Sequence, residues 1–134
     1  MRKHIDQALQ NEAFLADLNK KFPKDYFDWK TTALFYTALH YILAYAAFKR
    51  KNIGNSHRDM LDNSNPSIIT ATNPLRADIF TAYNYLYQLS RTARYTVFND
   101  ERIKNLTMQT SYLEASEYLS EIKKHLVSQK LMSK

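Results

Sequence analysis

The chain predicts an all-α fold, an antiparallel bundle of four long helices with one short helix inserted. Apolar residues recur at three- and four-residue spacings through most of its length. One Gly and three Pro in 134 residues leave few breakers for a many-stranded fold, which needs a turn roughly every 8–12 residues. A hydrophobic content of 45%, with ten tyrosines, is enough for a core, and the chain reads as a single domain over 1–134.

The first helix is expected from Arg2 to Phe22, where Ile5, Ala8, Leu9, Ala13, Leu15, Ala16 and Phe22 form a broad apolar arc that stops before Pro23. Glu12 falls inside that arc, which calls either for a cation from another helix or for partial exposure at a bundle end. The second helix carries the strongest periodic signal. Trp29, Ala33, Tyr36, His40, Leu43 and Ala47 make one narrow stripe, read as a core stripe, and Leu34, Ala38, Tyr41, Tyr45 and Phe48 lie on the other side. A helix apolar nearly all round belongs at the centre of the bundle. Lys49-Arg50-Lys51 suit the negative end of its dipole, with Asn52 and Gly54 as stop signals.

Ser56 is placed to cap a short helix, with Asp59 three residues on, and Asn63-Ser64-Asn65-Pro66 ends it. The β-branched run from Ser67 to Thr72 fits either a helical turn or an extended segment. Asn73-Pro74 then reads as cap and first position of the next long helix. There Leu75, Ile79, Ala82, Tyr83, Leu86, Ala93 and Val97 share a face, while Phe80, Asn84, Tyr87, Arg91 and Arg94 gather on an aromatic and basic flank. The last helix is expected around Thr107 to Val127, built on Met108, Tyr112, Ala115, Leu119, Ile122 and Leu126, with a frayed end from about residue 128.

Composition narrows the chemistry. Nineteen Lys and Arg against thirteen Asp and Glu give a formal charge of +6, which favours anionic partners. The absence of cysteine excludes disulfides, thiolate nucleophiles and Cys-based zinc sites, and fits a reducing compartment. No eighteen-residue apolar run and no apolar leader are present, so a cytoplasmic protein without a membrane partner is expected. The histidines at 4, 40, 57 and 125 show no ligand spacing, so no metal is expected, and no cofactor is implied. One glycine cannot build a phosphate loop, and no Gly-x-Ser-x-Gly elbow occurs.

Four features carry chemistry. Tyr36 and His40 stand four apart and project together. His57 and Arg58 open a short helix whose backbone N–H groups attract anions. Ser90 and Arg94 are four apart at the border of a core face. Arg94 and Tyr95 end their helix, so the guanidinium falls at the mouth of the bundle, where a structural salt bridge, for instance to Glu12, is the competing account.

The stretches DWKTTALFYTALHYILAY, NSHRDML and AYNYLYQLSRTARY, spread over Asp28 to Tyr95, together resemble the HEPN superfamily of small prokaryotic helical-bundle domains. The resemblance implies a four- or five-helix bundle that pairs as a homodimer, nucleotide or RNA binding, and metal-independent RNA cleavage in some members. Cleaving members carry an Arg followed, after four to six residues, by a His. Arg50 and His57 have that separation here, with Lys51 after the Arg where those members have Asn, Asp or His. The expected site is thus a polar cleft of Tyr36, His40, His57, Arg58, Arg91, Arg94 and Tyr95, with Arg50 as a further nucleotide contact. In a ribonuclease, His57 or His40 would act as base and Arg94 or Arg58 would stabilise the phosphorane charge. Alternatively the same polar residues form a structural network in an interaction module, paired with itself or with an antitoxin-like protein.

Overall fold

The computed structural model describes residues 1–96 and 98–132. Five helices follow in order: α1 Arg2–Lys21, α2 Phe27–Phe48, α3 His57–Ser64, α4 Ala77–Tyr95 and α5 Glu101–Ser128. Four are long and α3 is the short insert, so the all-α bundle is as expected; among the described residues there is no strand. Val97, expected on the α4 core face, lies outside the described residues.

Contacts between helices set their directions. His4 at the start of α1 meets His40 late in α2, and Glu12 and Asn19 of α1 reach Lys123 and Tyr112 of α5. Asp28 and Tyr45, at opposite ends of α2, pair with Lys104 and His125 of α5, so α2 and α5 run parallel. The start of α2 lies beside the end of α4. Helices α1 and α4 therefore run against α2 and α5, and α2 packs against all three other long helices.

That position explains the composition of α2. Fourteen of its residues are buried, among them Leu34, Phe35, Ala38, Tyr41, Ile42 and Tyr45. The stripe of Trp29, Ala33, Tyr36, His40, Leu43 and Ala47 is not the core, however. It is the one seam of α2 that its neighbours leave open, half-buried along most of its length, with Trp29 64% exposed. On α1 the buried arc is narrower than expected: Ile5, Ala8 and Leu15 are buried, and Leu9, Ala13 and Ala16 are exposed. Glu12 is held by a cation from another helix: it accepts from Tyr41 Oη at 2.5 Å and pairs with Lys123 Nζ at 2.7 Å. It is therefore not the partner of Arg94. Burial and this carboxylate push the Tyr41 phenol above its ordinary range.

Buried Lys30 donates to the carbonyl of Phe22 and lies over the Phe27 ring. An ammonium there satisfies the C-cap carbonyl of α1 and complements its dipole.

Three helix boundaries differ from expectation, and the end of α2 does not. α2 ends with Arg50 in the left-handed region at φ 57, where Lys51 N–H bonds Ala46 O at 2.9 Å and Arg50 N–H bonds Ala47 O at 3.0 Å. The stop therefore comes within Lys49-Arg50-Lys51, as expected, with Arg50 as the left-handed residue ahead of Asn52 and Gly54. α4 starts at Ala77 with Arg76 as N-cap, because Asn73 and Leu75 donate their N–H groups to the Asn63 and Ser64 carbonyls and are so tied to the end of α3. α5 starts at Glu101, six residues early, since the Asp100 carboxylate accepts the Arg102 N–H and caps it. Its end is not frayed at residue 128: Lys130 turns left-handed at φ 64, and Leu131 folds back to bond Leu126 O and is buried. The segment 67–72 is a pair of turns, with Ile68 N–H on Asn65 O and Ala71 N–H on Ile68 O. No described helix is long and apolar enough to cross a membrane.

Candidate functional site

Helix α3 is too short to fold alone, and its placement depends on its entry. Gly54 takes φ +99, and a Cβ there would stand 2.6 Å from the Cβ of Asp59. This turn brings Ser56 into position to accept the Asp59 N–H at 3.1 Å, as expected of a cap. His57, the first residue of α3, is thereby laid against the middle of α2 and α4. Its ring lies 5.5 Å from that of Phe35, 6.1 Å from Tyr36 and 5.4 Å from Tyr87.

Arg94 reaches the same place from the last turn of α4. Its Nη1 donates to Tyr36 Oη at 3.0 Å, and the guanidinium lies over the rings of Phe35, Tyr36 and Tyr95 at 6.0, 5.7 and 5.5 Å. Arg91, one turn earlier, lies 5.8 Å over Tyr87. Tyr36, His57, Tyr87, Arg91, Arg94 and Tyr95 together line an open cavity of about 450 Å3, and fully buried Phe35 packs against the His57 and Arg94 side chains.

The cleft is cationic and incompletely satisfied. Among the described residues neither Arg91 nor Arg94 makes an ion pair with a carboxylate, and the cavity lining contains no Asp or Glu. Buried Arg94 Nε and His57 Nδ1 have no hydrogen-bond partner. Burial, then the Arg94 charge, lowers the His57 pKa from its ordinary value, so the imidazole is neutral near pH 7 and able to accept a proton. An anion entering here would meet both guanidinium groups, and a planar ring would meet Tyr95, which is 73% exposed.

Of the residues expected to converge, five do so: Tyr36, His57, Arg91, Arg94 and Tyr95. Three do not. His40, one turn beyond Tyr36, faces α1 and contacts His4. Arg58 follows His57 but points into solvent beside Asp62, 3.9 Å away, because successive helical positions turn about 100° apart. Arg50 is exposed and spends its backbone on the left-handed stop of α2, outside the cavity lining. Tyr87 belongs to the site and was not singled out, although its spacing with Arg91 and Arg94 on the aromatic-basic flank was legible. Buried Ser90 is satisfied within α4, donating to Tyr87 O at 3.0 Å.

A second hollow, of about 430 Å3 and chiefly apolar, runs between α1 and the start of α2, lined by Phe14, Leu18, Phe22, Tyr26 and Trp29 with Thr32 and Ala33. Among the described residues no group of three or more His, Cys, Asp or Glu is arranged to hold a metal ion. Comparison with family models, curated proteins and solved structures returns no match, so the site is read from its own residues.

Proposed function

We propose that the chain binds RNA or a nucleotide in the cleft between α2, α3 and α4, in keeping with its resemblance to HEPN domains. One observation supports this above all: Arg91 and Arg94 line an open, tyrosine-walled cavity without a carboxylate to neutralise them. Guanidinium groups in that state suit phosphate oxygens, and the tyrosine faces suit a base. Binding is favoured over cleavage because only one of the two candidate bases, His57, lines the cleft, while His40 faces α1. In a cleaving version, His57 would take the proton from a ribose 2′-hydroxyl and Arg94 would stabilise the charged phosphate.

The test is fluorescence anisotropy with a labelled short RNA and with a labelled nucleotide. The expected result is affinity that falls with salt, and Arg94→Ala binding about tenfold or more weakly, the loss of a charge-assisted bond of ~1.5–3 kcal/mol, at an unchanged melting temperature. Wild-type affinity in Arg94→Ala, or salt-independent binding, would overturn the reading. Cleavage is checked separately by looking for a 2′,3′-cyclic phosphate product that His57→Ala abolishes.

A homodimeric interaction module is the second reading, favoured by the exposed Phe14, Phe22 and Trp29 around the apolar hollow. An antitoxin-like protein would compete for the same face. Sedimentation of the purified chain alone is expected to give a dimer that Trp29→Glu converts to monomer.

A further inference from the structure

Arg94 lines two hollows. One is the cleft it shares with Arg91 and Tyr95; the other, of about 330 Å3, is lined also by Asp28, Trp29, Thr32, Thr96 and Lys104. The two differ in charge. The cleft lining holds two guanidinium groups and no carboxylate, whereas in the second hollow the Asp28 carboxylate stands 3.7 Å from the Lys104 ammonium and offsets it. An anion is therefore favoured at Arg91 and Arg94, and an uncharged group farther into the second hollow. Trp29 gives that hollow an aromatic wall: it is 64% exposed, and its backbone N–H is held by the Asp28 carboxylate at 2.9 Å.

We propose, on the reading of the cleft as a nucleotide site, that the second hollow is a second nucleoside subsite. The chain then takes single-stranded RNA by two adjacent nucleotides, with the linking phosphate on Arg91 and Arg94, one base against Tyr95 and the next against Trp29. Trp29 and Tyr36 stand seven residues apart on the open seam of α2, about 10.5 Å along the helix axis. Neighbouring bases stacked at a rise of roughly 3.4 Å do not reach from one hollow to the other. The two bases are therefore splayed and each stacks on protein, which an unpaired strand allows and a duplex does not. Arg94 suits the central position. Three rings lie beside its guanidinium, and its bond to Tyr36 is the only hydrogen bond that guanidinium makes among the described residues, so donors remain for phosphate oxygens. In the second hollow Asp28 opposes a further phosphate, while Thr96 and Lys104 offer donors and Asp28 an acceptor to a base edge.

The experiment compares ligands of equal charge by calorimetry on the full chain. These are the adenine dinucleotide ApA and the methyl esters of adenosine 3′- and 5′-monophosphate, all 2′-O-methylated so that none can be cleaved. ApA is expected to bind about tenfold or more tightly than either ester, the worth of one further stacked base. Trp29→Ala should remove that advantage and keep the binding of one ester. Lys104→Gln, which leaves the apolar hollow untouched, should lower the advantage in part. Because Trp29 also borders the apolar hollow, and because a variant can fail to fold, the wild-type chain is followed as well. Trp29 is its one tryptophan, and its fluorescence should change saturably with ApA at the affinity that calorimetry gives. ApA binding no tighter than both esters, or saturation without a change at Trp29, would overturn the second subsite and leave the cleft standing. Absence of binding by ApA, by both esters and by short RNA would overturn the cleft reading together with it.

Discussion

Tyr36 and Arg94 come from helices packed against each other, and one hydrogen bond of 3.0 Å between them aims the guanidinium. Arg94 carries two further constraints, the ring faces of Phe35 and Tyr95. Removing the Tyr36 hydroxyl should therefore loosen the aim without removing the charge. Tyr36→Phe is expected to weaken nucleotide or RNA binding by a few-fold, about 0.5–1.5 kcal/mol, and to keep the salt slope of the wild type, whereas Arg94→Ala reduces both. Parallel anisotropy titrations at several salt concentrations check this. At Arg50 the side chain is exposed and the backbone is left-handed, a conformation costing a non-glycine residue about 1 kcal/mol or more. Arg50→Gly should raise the denaturation midpoint and leave ligand affinity as it is. Loss of binding in that variant would restore Arg50 to the site.

At the scale of an element, α3 determines whether His57 reaches the cleft. Its eight residues bury only Met60 and Ser64, so entry geometry and capping decide its position. Gly54→Ala adds a Cβ 2.6 Å from that of Asp59 at a backbone angle unfavourable to any L side chain. Destabilisation of about 1–3 kcal/mol is expected, together with weaker ligand binding, measured by chemical denaturation and by anisotropy. The same reasoning applies to α2. Its apolar stripe stays open because α1, α4 and α5 occupy the other sides, which leaves Trp29 and Leu43 beside hollows and His40 free to meet His4.

For the whole molecule, acid sensitivity follows from the histidines. His4, His40, His57 and His125 are all lowered from the ordinary 6.5, with burial the first cause in each. A lowered folded-state value means the unfolded chain binds more protons as pH drops through and below 6.5, so stability falls with acidification and levels off once the folded state also protonates. Denaturation midpoints in chelator-containing buffer should be lower at about pH 5 than at about pH 7.5. His125 contributes in a second way: it is buried edge-on to Tyr45 with neither ring nitrogen hydrogen-bonded. His125→Phe should keep the aromatic contact, raise stability by about 1 kcal/mol and flatten part of the pH dependence. A less stable variant would show that a partner satisfies the imidazole.

The amino-acid order by itself determined that the chain is helical, that α2 is central, that Ser56 caps a short helix, and that aromatic and basic residues share a flank of α4. These are local properties, set by periodicity, capping and breakers within a few residues. The outward face of α2, the partner of Glu12, the separation of His40 from His57 and the meeting of His4 with His40 were decided by tertiary structure. A 3.6-residue period shows that residues share a side of a helix, but not which side the neighbouring helices cover. The stripe through Trp29 and His40 therefore looked fully buried, although it is only half-buried, with Trp29 exposed. Convergence of Tyr36, His57, Arg91 and Arg94 likewise depended on the φ of Gly54 and the packing of α4 on α2, which act across many residues of chain.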